Sequence, residues 1–367
     1  MSSHTIKANK LRVIYITNTS RVDRPYLDPA VRYRCYNPAY DLRKLGLLAD
    51  VTSVQHFEMS MVDNYDVFVF HKPPLNNNVE AALALIQKRN KLAIADYDDL
   101  IFHEKNALQS SLFLTGRATE SAALDIFRRN HEALKFFDYA TVSTTCLAEQ
   151  AIESNPNMTV KVIHNGLNTA WVESAKLYFR ARPIAGRISY FCGTKSHDHD
   201  FETIEDVLVQ VLEENSNASL HIVGPLAFNK DKFPKSRLYL TAAVPYENLP
   251  KFIMQSWVSI APLDNNLFNN CKSGLKFFEA AAFGVPSVAT PIPDMQRFAD
   301  ANIVLAQTND EWRAGLNYYL NSQSHQNAIE ENYNYVYEKC VSSVQTLRLV
   351  NFYNAIQTNN VVNNNSL

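Results

Sequence analysis

Short apolar segments alternate with segments of helical spacing along most of this 367-residue chain, and most of the apolar segments end at a glycine or a polar cluster. Residues 11–17 and 66–71 are two such segments. Continuous apolar runs of this length are typical of strands buried on both faces of a parallel sheet. The alternation therefore predicts an α/β fold built from open, doubly wound, mostly parallel sheets.

The pattern breaks once, over residues 167–184, and restarts with an apolar run at 187–191. The break predicts two Rossmann-like domains that face each other across a cleft, one over residues 1–170 and the other over 171–340. Residues 341–358 have the spacing of a terminal helix, which we expect to pack back on the N-terminal domain. The polar tail 359–367 is predicted to be disordered.

Composition excludes several classes of protein. Lysine plus arginine nearly balance aspartate plus glutamate, with a formal net charge of −2, so no global field favours nucleic acid. No apolar run is long enough to span a bilayer, and residues 1–10 lack the apolar core of a signal peptide. Five scattered cysteines without metal spacing are expected in a reduced interior. These observations predict a cytoplasmic location.

The stretch 269–290 carries the strongest site signal: a lysine-bearing polar loop, a glycine, a short helix and a buried strand. Gly274 lets the backbone approach a ligand closely, and Lys272 and Lys276 add positive charge beside a helix N-terminus, which suits a phosphate. Glu279 lies one turn further on and could accept hydrogen bonds from two sugar hydroxyls. The alternative is an ordinary βαβ connection with solvated lysines.

Other polar clusters also follow predicted strands, and in open sheets ligands bind at the carboxyl ends of strands. Asp98 and Asp99 form an acidic pair that serves an acceptor or caps a turn. His71 faces the cleft or is a structural histidine, and Arg34 reaches an acceptor or phosphate or forms a salt bridge. The residues 197–200 (HDHD) have the composition of a metal cluster, but no third ligand partner is evident, so we expect no metal.

Several motifs in sequence order carry a resemblance to a known family. They are residues 191–195 (FCGTK) with 197–201 (HDHDF), 220–224 (LHIVG), 261–265 (APLDN) with 272–276 (KSGLK), and Glu279 with 284–286 (GVP). In the first half, 32–34 (RYR), 96–102 (DYDDLIF) and 162–166 (VIHNG) add to it. The chain resembles a GT-B glycosyltransferase and is most similar to the family-4 type that acts in bacterial polysaccharide synthesis.

The resemblance implies that the C-terminal domain binds a nucleotide-sugar and that the N-terminal domain holds the acceptor. Glu279 matches a glutamate that holds ribose hydroxyls, and Lys195 and Lys276 match cations that neutralise the diphosphate. With Asp99 and His71, these are the candidate catalytic residues, while Arg34 and Asp98 are the candidate acceptor-side residues. The candidate donor-binding residues are Gly193, Thr194, Lys272, Ser273, Gly274, Leu275, Gly224 and Asn165.

The implied activity is transfer of a sugar from a nucleotide-sugar to a glycan or lipid-linked glycan, in lipopolysaccharide O-antigen or capsule synthesis. We expect no cofactor, no metal, and retention of the anomeric configuration. Cys271 departs from the family pattern, which usually has a glutamate there, and this leaves the donor sugar and stereochemistry open. Two alternatives are a catalytically silent nucleotide-sugar-binding module and a nucleotide-sugar epimerase. Peripheral contact with the inner membrane or with other polysaccharide-synthesis proteins is also open.

Overall fold

A computed structural model describes residues 11–193 and 197–364. Within them lie two parallel sheets of six strands each, which confirms the predicted α/β architecture of two Rossmann-like domains. The N-terminal sheet contains β1 (Arg12–Thr17), β2 (Leu48–Ser53), β3 (Val67–His71), β4 (Leu92–Tyr97), β5 (Tyr139–Val142) and β6 (Thr159–Val162). The C-terminal sheet contains β7 (Arg187–Phe191), β8 (Ser219–Val223), β9 (Leu238–Thr241), β10 (Val258–Ala261), β11 (Ser287–Ala289) and β12 (Ile303–Leu305).

The strand order fixes where each sheet can hold a ligand. The N-terminal order is β2-β1-β3-β4-β5-β6, and the C-terminal order is β12-β11-β10-β7-β8-β9. The direction of winding reverses between β1 and β3 in the first sheet and between β7 and β10 in the second. Crevices at the carboxyl ends of such switch points are the usual ligand sites of doubly wound sheets.

The helices connect successive strands. In the N-terminal domain they are α1 (Pro29–Val31), α2 (Asn37–Lys44), α3 (Asn77–Lys88), α4 (Ser111–Leu114), α5 (Glu120–Leu134) and α6 (Thr145–Ser154). They continue with α7 (Thr169–Tyr178), α8 (Asp198–Glu202), α9 (Glu205–Glu214), α10 (Leu249–Ile253), α11 (Leu267–Asn270), α12 (Leu275–Ala281) and α13 (Pro293–Gln296). The last three are α14 (Asn309–Leu320), α15 (Ser322–Lys339) and α16 (Ser342–Asn364).

The sequence predicted one helix over residues 30–45 with a kink at Pro38. The structure instead has a π-helical turn, Arg32–Tyr36, between α1 and α2. Pro38 lies just after the π turn, as the second residue of α2. The wide π turn directs consecutive side chains, including those of Arg32, Tyr33 and Arg34, toward the domain interface and the interior.

Two strands were not predicted, β2 and β12. Both lie at the outer edge of their sheets, so neither needs a continuous apolar run. β2 carries Asp50, Thr52 and Ser53 and is buried at only two positions, and β12 is half-buried along its three residues. The predictions depended on apolar runs and therefore passed over these polar or short edge strands.

The C-terminal helix crosses back to the N-terminal domain. Leu349, Val350, Tyr353 and Ile356 on α16 join the core cluster formed by β1, α2 and β3. Helix α16 continues to Asn364, and residues 365–367 lie outside the described part of the chain, so the predicted disorder of the tail 359–367 stays a prediction. The predicted domain boundary after residue 170 stays a prediction, and it falls within α7.

Each domain has its own core, and the domains also contact each other through apolar and polar groups. Phe277 and Phe278 of α12 pack with Tyr33 of the N-terminal domain. Nδ1 of His164, which follows β6, lies 3.4 Å from Oδ1 of Asp294 on α13. Throughout residues 11–193 and 197–364, no helix combines the length and apolarity needed to cross a membrane.

Candidate active site

A cleft of about 360 Å³ opens between the two domains at the carboxyl ends of their strands. The N-terminal wall presents Lys72 after β3 and the acidic pair after β4, Asp98 and Asp99. The C-terminal wall presents Lys272 and Lys276 from the loop and helix that follow β10. The sequence-predicted residues that line the cleft are Asp98, Asp99, Asn165, Lys272, Ser273, Leu275 and Lys276.

The C-terminal wall is positively charged and only partly neutralised. Burial, followed by the neighbouring charge of Lys272, lowers the pKa of Lys276. The buried Ser273 hydroxyl, between the two lysines in sequence, has no hydrogen-bond partner among the described residues. Two adjacent cations and a spare hydroxyl are suited to an anionic ligand, which would relieve their mutual repulsion.

His197 supports Lys276 from the loop after β7. Its Nδ1 lies 2.8 Å from Oδ2 of Asp200, and its Nε2 lies 3.4 Å from Nζ of Lys276. Burial and then the charge of Lys276 lower the pKa of His197 to about 4, so the ring is neutral near pH 7. A neutral ring that donates from Nδ1 to Asp200 leaves the Nε2 lone pair to accept from Lys276.

Asp200 is in turn fixed by the loop after β10. Its Oδ1 accepts from the Asp264 backbone N–H at 2.9 Å and from Nδ2 of Asn269 at 3.0 Å. The chain of contacts therefore runs from this loop through Asp200 and His197 to Lys276. The sequence suggested a metal-like composition for residues 197–200, whereas the structure assigns His197 and Asp200 to a network that orients a lysine.

The N-terminal wall is organised by Lys72. Its Nζ lies 2.8 Å from Oδ1 of Asp98 and 2.7 Å from Oδ2 of Asp99. Lys72 has φ = +53°, a left-handed conformation that is costly for a residue with a side chain and that is typical of functional sites. Lys72 was not among the site residues predicted from the sequence.

His71 lies behind this wall, not on it. Its side chain is 1% exposed, with Nδ1 at 3.0 Å from Oγ1 of Thr17 and Nε2 at 3.3 Å from Oδ1 of Asp98. Although Asp98 is buried, the charge of Lys72 and the hydrogen bond from His71 hold its pKa well below the usual range. His71 is thus placed to position Asp98, and the expectation that it faces the cleft is wrong.

Glu279 bridges the two domains. Its Oε1 accepts a 2.6 Å hydrogen bond from the Tyr33 hydroxyl, which is also 3.0 Å from the Tyr246 hydroxyl. Burial raises the pKa of Glu279, although the Tyr33 hydrogen bond and the charge of Lys276 act against the rise. Tyr33 lines the cleft and covers Glu279 from the N-terminal side.

Comparisons with known proteins agree with this geometry. Residues 205–344 match the family model described as glycosyl transferase-like. Over almost the whole chain, the structure is similar to an alpha-glucosyltransferase solved with UDP-glucose and DNA containing an abasic site. The TM-score is 0.64 at 12% identity, covering 94% of this chain and 99% of that one. The chain therefore has the GT-B fold.

Two further structures share the glycosyltransferase fold. A UDP-forming alpha,alpha-trehalose-phosphate synthase from Burkholderia xenovorans has a TM-score of 0.59 at 11% identity, covering 94% of this chain and 100% of that one. TarM of S. aureus has a TM-score of 0.56 at 11% identity, covering 78% of this chain. This chain spans only about half of TarM, 54%. A comparison with curated protein sequences found no match.

Arg34 takes no part in the cleft. Its side chain is 4% exposed and forms a two-point ion pair with Asp96, at 3.0 Å from Nε and 2.5 Å from Nη2. Its Nη1 donates to the Ile163 carbonyl at 2.5 Å and to Oδ1 of Asn165 at 3.2 Å. The expected acceptor contact is therefore wrong: the guanidinium is fully engaged and tethers the loop that holds Asn165.

Two glycines predicted to contact the donor are explained by packing. A Cβ on Gly274 would meet Cε2 of Phe298 at 2.5 Å, and the Gly274 N–H already donates to Oδ2 of Asp294 at 2.7 Å. Gly224 has φ = +122°, and a Cβ there would meet the Cys192 carbonyl oxygen at 1.8 Å. Neither glycine lines the cleft, so close approach within the protein accounts for both.

The remaining predicted residues lie beside the cleft or outside the described chain. Gly193 is exposed, with open space where a Cβ would point. Thr194 and Lys195 lie outside the described residues, so their predicted donor contacts stay predictions. Within the described ranges, no group of three or more histidine, cysteine, aspartate or glutamate side chains is placed to hold a metal ion.

Proposed function

We propose that this protein transfers a sugar from a nucleoside diphosphate to a glycan acceptor. The observation that carries the proposal is the pair Lys272 and Lys276, which lines the interdomain cleft beside the partnerless Ser273 hydroxyl. A diphosphate supplies the negative charge that this wall lacks. Structures similar to this chain include proteins solved with UDP-glucose or UDP, which supports a nucleoside diphosphate donor.

The reaction breaks the bond between the anomeric carbon and a diphosphate oxygen and forms a bond to the acceptor oxygen. Negative charge grows on the leaving oxygen, and preorganised cations stabilise it in the transition state. Lys276 is held for this role by His197, whose neutral ring accepts from the ammonium and adds no competing charge. Lys272 supplies a second positive charge on the same wall.

The acceptor hydroxyl gives its proton either to a protein base or to the departing phosphate. Asp98 is a weak base, because Lys72 and His71 hold its pKa low. Asp99 is more exposed, at 37%, and is tied to Lys72. We therefore propose that the leaving phosphate takes the proton and that the anomeric configuration is retained, with Lys72 and the two aspartates orienting the acceptor.

The resemblance to polysaccharide-synthesis enzymes supports a biological setting. We propose that the acceptor is a glycan, free or lipid-linked, that is assembled for the cell surface as O-antigen or capsule. In this setting the enzyme works in the cytoplasm, with or without peripheral contact to the inner membrane, and needs neither a metal nor a cofactor. From the same resemblance, we propose that Glu279 holds the ribose of the donor.

The test is a titration with UDP-, GDP-, dTDP-, CMP- and ADP-sugars, reading thermal shift and nucleotide release together. We expect one nucleotide class to raise Tm, and a glycan acceptor to trigger release of that nucleotide. No thermal shift with any of the donors would contradict the assignment of the lysine wall.

Replacing Lys276 tests the mechanism. Lys276→Ala should lower kcat by about a hundredfold or more, because one preorganised cation is lost from the leaving group. Lys235→Ala, at an exposed lysine outside the cleft, is the matched control and should keep full activity. Wild-type rates in Lys276→Ala, with circular dichroism unchanged, would contradict the role of this lysine.

A second candidate is a nucleotide-sugar-binding module without transferase activity. It is favoured by Cys271, which stands where the family usually has a glutamate and whose side chain is fully buried. No carboxylate therefore reaches the cleft from this position. This candidate would be selected if the protein with Lys276 intact binds a nucleotide-sugar saturably and releases no nucleotide with any acceptor tried.

A further inference from the structure

Two buried cysteines from different domains meet beside the cleft. The Sγ atoms of Cys146 and Cys271 are 2.6 Å apart, and both cysteines are free thiols. Cys146 lies in the first turn of α6 in the N-terminal domain, and Cys271 ends α11 in the C-terminal domain. The pair therefore joins segments that are 125 residues apart in sequence.

The surroundings hold these thiols together and favour reaction at Cys146. The Thr144 hydroxyl donates to the Cys271 carbonyl at 2.9 Å and also caps α6 through the Leu147 N–H. The first turn of this ten-residue helix presents partial positive charge to Cys146, which stabilises a thiolate there. Lys272, next to Cys271 in the chain, lines the cleft.

We propose that Cys146 and Cys271 form a reversible disulfide that locks the two domains in the arrangement of this structure. The oxidant is a low-molecular-weight disulfide, RSSR. The Cys146 thiolate attacks one sulfur of RSSR, forming a mixed disulfide and releasing RS⁻. Cys271 loses its proton and attacks Cys146 Sγ, so that the second RS⁻ leaves. The two protons end on the released thiols, two RSH in all, and excess dithiol reverses both steps.

The proposed disulfide would restrict opening of the interdomain cleft. A GT-B cleft must open to exchange substrate and product, and such motions often limit turnover. A covalent link between α6 and the loop that precedes α12 ties the donor wall to the N-terminal domain. Oxidation is therefore expected to suppress turnover while the fold becomes more stable. The loss of turnover rests on the proposed function, whereas formation of the cross-link does not.

The experiment compares the full-length protein after incubation with oxidised glutathione or with dithiothreitol. Digestion without reduction, followed by mass spectrometry, should recover a peptide pair that joins Cys146 to Cys271. The oxidised protein should gain a few degrees in Tm and lose most of its turnover, and dithiothreitol should restore both values. Cys146→Ser and Cys271→Ser should show neither change, and Cys340→Ala, at a buried cysteine away from the pair, should respond like the wild type.

The outcomes separate the two proposals. A cross-link with a raised Tm, in a protein without transferase activity under any condition, would support the lock and contradict the proposed function. Wild-type protein in which both thiols stay free, or in which each carries its own glutathione, would overturn the lock. This readout needs no variant, so failure of a serine variant to fold does not affect it.

Discussion

At the scale of single residues, charge and close packing decide the roles of neighbouring side chains. Lys276 and Lys272 lie on the same wall of the cleft. Burial and then the neighbouring charge of Lys272 lower the pKa of Lys276, although the charges of Asp200 and Glu279 act against the fall. Arg34, also cationic, lies in the interior because Asp96 is placed to meet it. The two types of cation differ in their partners, which a sequence motif does not specify.

Gly166 gives a prediction at this scale. A Cβ there would meet the Ser342 Cα at 2.6 Å, where the chain returns to the N-terminal domain. Gly166→Ala should lower the free energy of unfolding by about 1–3 kcal/mol, because backbone must move. Urea denaturation measures this. Gly193→Ala is the control, since its Cβ would enter open space, and equal stability losses in the two variants would argue against the packing explanation.

At the scale of elements, the π turn and α12 form the polar contact that closes the interface. The π turn places Tyr33 over Glu279, and the Tyr33 hydroxyl also meets Tyr246. Arg32 from the same turn lies over the Tyr246 ring, with Cζ 3.8 Å from its centroid. The turn thus covers the Glu279 carboxylate, which is the group that the resemblance implies for binding the donor ribose.

Tyr33→Phe tests whether this contact competes with the donor. Loss of the hydrogen bond should lower stability by about 1 kcal/mol, and the freed Glu279 should bind a donor ribose without a competitor, so that Kd falls by about fivefold. Isothermal titration with the cognate nucleotide measures Kd. Tyr246→Phe, which removes a hydroxyl that contacts Tyr33 but not Glu279, should leave Kd nearly unchanged. Weaker binding in Tyr33→Phe would mean that Tyr33 supports the donor site.

At the scale of the whole molecule, buried neutral histidines set the acid limit of stability. Burial is the largest cause that lowers the pKa of both His197 and His221 to about 4. In the unfolded chain these rings bind protons near pH 6.5. The unfolded state therefore binds more protons than the folded state between about pH 6.5 and pH 4, and stability falls as the pH is lowered through this range.

The expected loss is about 2 kcal/mol for each histidine between pH 7 and pH 4.5. Urea denaturation across this range measures it. His221→Gln should flatten the dependence on pH, because the neutral buried ring is removed. A wild-type stability that does not change between pH 7 and pH 4.5 would contradict the burial of neutral rings.

Much of the architecture followed from the sequence. Continuous apolar strands such as β3, alternating with helices, are sufficient to predict two parallel sheets and ligand sites at their carboxyl ends. Several of the charged cleft residues, including Lys272, Lys276, Asp98 and Asp99, were predicted because such positions follow strands in the chain. These features depend on local order along the sequence, and a linear pattern carries that information.

The tertiary structure alone decided which polar groups meet. Tyr33 and Glu279 are 246 residues apart, Arg34 and Asp96 are 62 apart, and Cys146 and Cys271 are 125 apart. The Arg34 and Asp96 pair requires the path of the chain through the N-terminal sheet, and the other two pairs require that the two domains meet. The polar edge strand β2 was missed for a related reason, since its hydrogen bonds to β1 hold it and its side chains do not reveal it. Local patterns specify elements, whereas long-range packing specifies partners, and partners determine the chemistry of the cleft.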